Sequence, residues 1–191
     1  TIVTPAAMGK TKIVVSSASS WSSQTKVGMM AVNVLQEALN LPYEVLRQKH
    51  QDWWHRFWER TFVYIEPQDN SIDQDVGHFM TCVRNLHLYN MASTSRGILP
   101  PKWNGSLFIT EGDKRQWGSQ FWVWTTEMLY FPLFAADAID LTNPYFSMYN
   151  QHLSDCEHAA WQRWGIVGAY FPETVSFDGP TILPDDVALE V

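Results

Sequence analysis

Apolar residues recur at helical spacing along most of this chain. Val27, Met30, Val34, Leu35 and Ala38 fall three or four apart, which predicts a helix over about 27–40, and Asn40-Leu-Pro42 breaks it. Pro42 then marks the start of a second helix, about 43–60, because a first helical turn tolerates a residue without an N–H. On that helix Leu46, His50, Trp53, Trp54, Phe57 and Trp58 share one face of large side chains. A third helix is predicted over about 72–95, with Val76, Phe79, Met80, Val83, Leu86, Leu88 and Met91 as its apolar stripe and Arg96-Gly97 as its end. Residues 119–140 read as one nearly all-apolar helix, buried on most sides and kinked at Pro132. Asn143-Pro144 opens a last helix, about 144–164, which Gly165 caps. Lys12-Ile-Val-Val-Ser16 and Thr61-Phe-Val-Tyr-Ile65 predict short strands, 16–23 a Ser-rich loop, and 97–118 a region of turns. The pattern is mainly α, built from helical hairpins.

Composition narrows what such a chain does. With 46% hydrophobic and 17% charged residues among 191, it has the makings of one or two folded domains. No apolar run approaches the roughly 20 residues of a membrane helix, so no membrane span is expected. A net charge of −7 without a basic stripe repels a phosphate backbone, which removes nucleic acid as a partner. Cys82 and Cys156 lie far apart in helical segments and read as two buried thiols rather than a disulfide or a metal pair. No two of the six His stand three or four apart on a helix, so no His-pair metal site is predicted. The chain contains no Gly-rich phosphate loop, no Cys-x-x-Cys and no Gly-x-Ser-x-Gly, and no cofactor is expected. Leu183-Pro-Asp-Asp186-Val-Ala-Leu-Glu-Val191 reads as a helix start without a body and the first residue is not Met, from which a fragment of a longer protein is expected.

Candidate chemistry concentrates between Leu99 and Trp124. Four of the chain's 10 Trp, Trp103, Trp117, Trp122 and Trp124, fall there with Asn104, Arg115 and Gln120. A pyranose offers an apolar C–H face that an indole covers and a rim of hydroxyls that needs fixed donors and acceptors. Glu127, alone in a nearly apolar segment, is costly unless paired or functional, and Glu173 follows Phe171-Pro172 in a partly apolar setting suited to a protonated acid. These residues fit a carbohydrate partner. Equally, the indoles fill helix–helix contacts in a non-catalytic domain, where the acidic groups only solubilise the surface.

Several marked segments, in order, resemble bacterial six-hairpin glycoside hydrolases, especially relatives of glycoside hydrolase family 95. His50-Gln-Asp-Trp-Trp54-His-Arg-Phe-Trp58-Glu-Arg60 is similar to the helix linking an amino-terminal β-sandwich to the barrel. Ser93-Thr-Ser-Arg-Gly97 with Pro100-Pro-Lys-Trp-Asn-Gly105 resembles the loop after the first barrel helix. Trp117-Gly-Ser-Gln-Phe-Trp122 through Tyr130-Phe-Pro132 resembles the sugar-facing helix, and Gly168-Ala-Tyr-Phe-Pro-Glu173-Thr a substrate loop. The resemblance implies part of an (α/α)6 toroid, with residues 1–42 closing an amino-terminal β region and linker and 43–191 forming the first part of a catalytic barrel. It also implies an inverting two-carboxylate hydrolase of oligo- or polysaccharides, in a periplasmic or secreted bacterial setting. Trp103, Asn104, Arg115, Trp117, Gln120, Trp122, Trp124 and Glu127 would bind substrate. Glu173 is the local candidate for a catalytic acid, although the family's own general acid lies later in its barrel than Val191. Where the family's fucosidases carry an Asn-x-Asn pair, this chain reads Val123-Trp-Thr-Thr126, which implies a different activation of water.

Overall fold

The first two predicted helices form where their breakers allow, α1 over Val27–Leu39 and α2 over Tyr43–Trp58. The Asn40 N–H closes α1 on the Gln36 carbonyl, and Pro42, extended at φ −56° and ψ 142°, caps the start of α2. The computed structural model describes residues 12–20, 25–65, 74–102 and 121–180. The chain divides into two compact units, Thr1–Glu59 and Arg60–Val191.

In the first unit the strand expected at 12–16 is absent. The hydrogen bonds of this segment run to α1 and the turn after it rather than to another strand. Lys12 Nζ donates to the carbonyls of Ala38 and Leu41 at 3.3 and 3.1 Å, and Ser16 Oγ donates to the Ala31 carbonyl at 2.7 Å. No residue of α1 is buried. Along α2 the aromatic face is self-associated: the Trp53 and Phe57 rings stack at 5.4 Å and those of Trp54 and Trp58 at 5.9 Å.

The second unit is built on α3, Gln74–Thr94. Its buried face carries Leu88, Met91, Ala92 and, just past its end, Ser95. The strand predicted at 61–65 is likewise missing among the described residues. Ile65 instead donates its N–H to Thr81 Oγ1 at 3.4 Å, and a side chain at Gly77 would stand 2.8 Å from the Ile65 carbonyl oxygen. Glycine is what lets this segment lie against the helix.

The single helix expected over 119–140 is broken into four pieces. Phe121–Trp122 forms β1, Val123–Glu127 α4, Phe131–Ala135 α5 and Ile139–Thr142 a 3-10 turn. Pro132 starts a new helix instead of kinking an old one, because it has no N–H to continue the ladder and its φ suits a first turn. Asp137, at φ 50°, then ends α5 in the left-handed region. The segment is also less covered than expected: Trp124, Met128, Phe131 and Phe134 are exposed. Likewise the last helix is two, α6 over Asn143–Gln151 and α7 over Leu153–Trp164. The joint is His152, whose Nε2–H donates to the Phe177 carbonyl at 2.9 Å, and a Cβ on Gly179 would lie 2.7 Å from its Nδ1. At φ 98°, Gly179 holds a conformation and a closeness that other residues cannot share. Gly165 caps α7 as predicted, at φ 64° with its N–H on the Trp161 carbonyl.

Antiparallel pairing of β1 with β2, Thr174–Val175, was not foreseen; Phe121 faces Val175 and Trp122 faces Thr174. Phe121 and Val175 close over Met148 of α6, with Leu99, Tyr149 and Phe177 around them. The rest of the core joins Leu133, Leu141, Tyr145, Cys156, Ala159 and Ala160. Both cysteines are free, and the expectation of two buried thiols fails at Cys82, which is exposed because its face of α3 points away from the core. No helix among the described residues is long and apolar enough to cross a membrane.

At the centre lies one buried hydroxyl. Ser95 Oγ donates its single proton to the Leu141 carbonyl at 2.8 Å, so the contact with Tyr130 Oη at 2.9 Å has the tyrosine as donor. Arg60 adds an outer tie, a forked hydrogen bond to both Asp140 oxygens, and that bond raises the guanidinium's pKa. We expect Ser95→Ala to cost about 1–3 kcal/mol, because it strands the Tyr130 hydroxyl in the core. Tyr130→Phe should cost less, since Ser95 keeps Leu141. Urea unfolding of the two variants checks the order.

Candidate functional site

The short β ladder fixes the site. It places Glu173 beside α4, where the Val123 N–H donates to the Glu173 carbonyl at 2.8 Å. One residue on, the Trp124 indole Nε1–H donates to Glu173 Oε1, also at 2.8 Å. Trp124 is 55% exposed, so a residue that orients a carboxylate also stays open to solvent. Oε2 of Glu173 keeps its acceptor sites for a further donor.

Behind this pair stands a row of tyrosines. The Tyr145 hydroxyl donates to the Val123 carbonyl at 3.1 Å, fixing the start of α4 from α6. Ring centroids of Tyr130 and Tyr145 lie 4.9 Å apart, those of Tyr145 and Tyr149 4.8 Å, and those of Tyr149 and Phe171 6.0 Å. Burial pushes the Tyr145 phenol up to about 12, and the negative charge of Glu127 adds to the rise. Burial likewise raises Tyr130 and Tyr149, with Glu127 contributing at Tyr149. All three phenols therefore stay neutral hydrogen-bonding groups near neutral pH. The Tyr149 hydroxyl and Thr126 Oγ1 are buried with no hydrogen-bond partner among the described residues.

Of the residues singled out from the sequence, Trp124 meets Glu173 directly, and Trp122 pairs in the ladder with Thr174, the residue after Glu173. Glu127 lies one turn beyond Trp124, half-buried, within electrostatic reach of Tyr145 and Tyr149. Trp103, Asn104, Arg115, Trp117 and Gln120 lie outside the described residues. Tyr145 and Tyr149 escaped notice, although their spacing of four on a helix opened by Asn143-Pro144 could have revealed them. A search for His pairs also passed over His78 and Cys82, one turn apart on α3 with Sγ 3.5 Å from Nε2. Among the described residues no group of three His, Cys, Asp or Glu side chains gathers closely enough to hold a metal ion.

A second polar feature sits on α3. His87 makes a backbone hydrogen bond with Leu129, yet its Nε2 is buried with no partner among the described residues. Burial lowers its pKa from the usual histidine range, and the Leu129 bond opposes that shift without cancelling it. Compared with known protein families, characterised proteins and solved structures, the chain matches none.

The unfolded chain takes up a proton at histidine's ordinary pKa of about 6.5, while folded His87 resists until a lower pH. We therefore expect stability to fall as pH drops from about 7 through 6.5 to that lower value, and this contribution to level off below it. His87→Phe should reduce the loss. Denaturant unfolding at about pH 7 and about pH 5 measures it.

Proposed function

We propose that this chain supplies one side of the sugar site of a glycoside hydrolase of (α/α)6-toroid type. The observation that carries the reading is the exposed Trp124 indole whose N–H holds the Glu173 carboxylate beside it. An indole face covers the C–H side of a pyranose, while the carboxylate oxygen next to it accepts a ring hydroxyl. In this reading Trp122 and Trp124 form the platform and Trp103 and Trp117 extend it. Asn104, Arg115 and Gln120 contact hydroxyls, and Glu127 orders the tyrosine-lined floor.

Glu173 is assigned to binding rather than to proton donation. Its Oε1 already accepts a donor, and an inverting hydrolase needs a protonated carboxylic acid on the leaving oxygen together with a second carboxylate about 6.5–9.5 Å away to activate water. The resemblance places the general acid in a later part of the barrel. In this reading Glu173 binds an oligosaccharide without donating the proton that cleaves it.

Titration with a panel of neutral plant oligosaccharides, followed by tryptophan fluorescence and calorimetry, tests the reading. We expect Trp124→Ala to weaken binding about tenfold, equivalent to about 1.4 kcal/mol. Trp124→Phe keeps a ring and removes the N–H, so it separates the platform from the clamp, and Glu173→Gln tests the acceptor. Unchanged affinity in a stably folded Trp124→Ala chain would refute the platform. Turnover of aryl glycosides that vanishes in Glu173→Gln would make Glu173 the acid instead.

A further inference from the structure

Along α3 a cleft of about 450 Å³ opens between that helix, residues 61–63 and α5. Its volume lies in the range of roughly 300–1,000 Å³ typical of small-molecule sites. The walls are apolar: Val63, Met80, Val83, Leu88, Pro132 and Ala135. Met80, Val83 and Val63 remain exposed there, so an apolar occupant would remove surface that the fold itself leaves in water.

One cation interrupts these walls. Arg84 reaches across from α3, donating to Thr61 Oγ1 at 3.4 Å and to Asn85 Oδ1 at 3.3 Å. Both partners are neutral, and no carboxylate among the described residues pairs with it. The other basic residue lining the cleft, His87, is held toward its neutral form by burial. Among the described residues the cleft thus combines an apolar body with one positive charge, that of Arg84. A guanidinium matches a carboxylate through two parallel N–H bonds, and its one positive charge balances one carboxylate.

We propose that this cleft binds a monocarboxylate with an apolar chain, its tail between α3 and α5 and its carboxylate on Arg84. The site is separate from the Trp124–Glu173 pair, and the proposal does not depend on the sugar reading. Calorimetric titration with decanoate, 1-decanol and acetate tests it. Decanoate should bind saturably and more tightly than decanol, and acetate, which has the charge without the tail, should not bind. Arg84→Met keeps the apolar stem and removes the charge, and should weaken decanoate about tenfold while leaving decanol unchanged. Ala135 is exposed, so Ala135→Trp fills the cleft without entering the core and should weaken both long-chain ligands. Circular dichroism melts verify that each variant folds. Decanoate affinity that is indifferent to Arg84→Met, or to Ala135→Trp, overturns the assignment. So does the absence of saturable decanoate binding, including the case in which ultracentrifugation shows the cleft filled by a second copy of the chain.

Discussion

The hydroxyl of Ser95 is the point on which the second unit turns. It has one proton and two lone pairs, and the core uses them on elements far apart in sequence: it donates to Leu141 in the 3-10 turn and accepts from Tyr130 before α5. A residue with 0% exposure leaves no room for water to substitute. Buried hydrogen bonds of this kind add modestly to stability when made and cost the full desolvation of their groups when broken. The end of α3 is thereby tied to the segment that carries α4, and α4 carries the candidate site.

From that anchor the tyrosines extend the order outward. Tyr130 touches Tyr145, Tyr145 ties down the Val123 carbonyl, and Tyr149 reaches Phe171, two residues before Glu173. Each ring fills volume while its hydroxyl demands a partner, which makes the row selective about how the backbone passes. The hydroxyls of Tyr149 and Thr126, buried with no partner among the described residues, are the places where that demand is unmet. A buried polar group without a partner is rare in a folded core.

What could be read from the sequence follows from the range over which each signal acts. Helices α1, α2 and α3 were legible because a 3.6-residue period and breakers such as Pro42 and Gly97 act locally. Residues 119–140 were not. A segment apolar on every side has no phase to read, and its path is set by Pro132, by Asp137 and by pairing of Phe121 with Val175, which is 54 positions away. The break at His152 has no local breaker either; it comes from a hydrogen bond to Phe177 and the bare Cα of Gly179. At the site, residue type identified Trp124 and Glu173 as sugar-compatible groups, but their direct contact spans 49 positions and follows only from the β ladder. The strands expected at 12–16 and 61–65 show the converse: β-branched residues favour extended backbone, yet without a neighbouring strand they make none.

The two thiols, finally, differ in access. Cys156 is buried, and burial pushes its thiol up to about 11, so it holds almost no thiolate near neutral pH; Cys82 lies in the open on α3. The native chain therefore carries its own single attachment point. A thiol-reactive fluorophore or spin label would go to Cys82 alone, putting a reporter on the outer face of the helix whose inner end holds Ser95, with no residue replaced and the core thiol left intact.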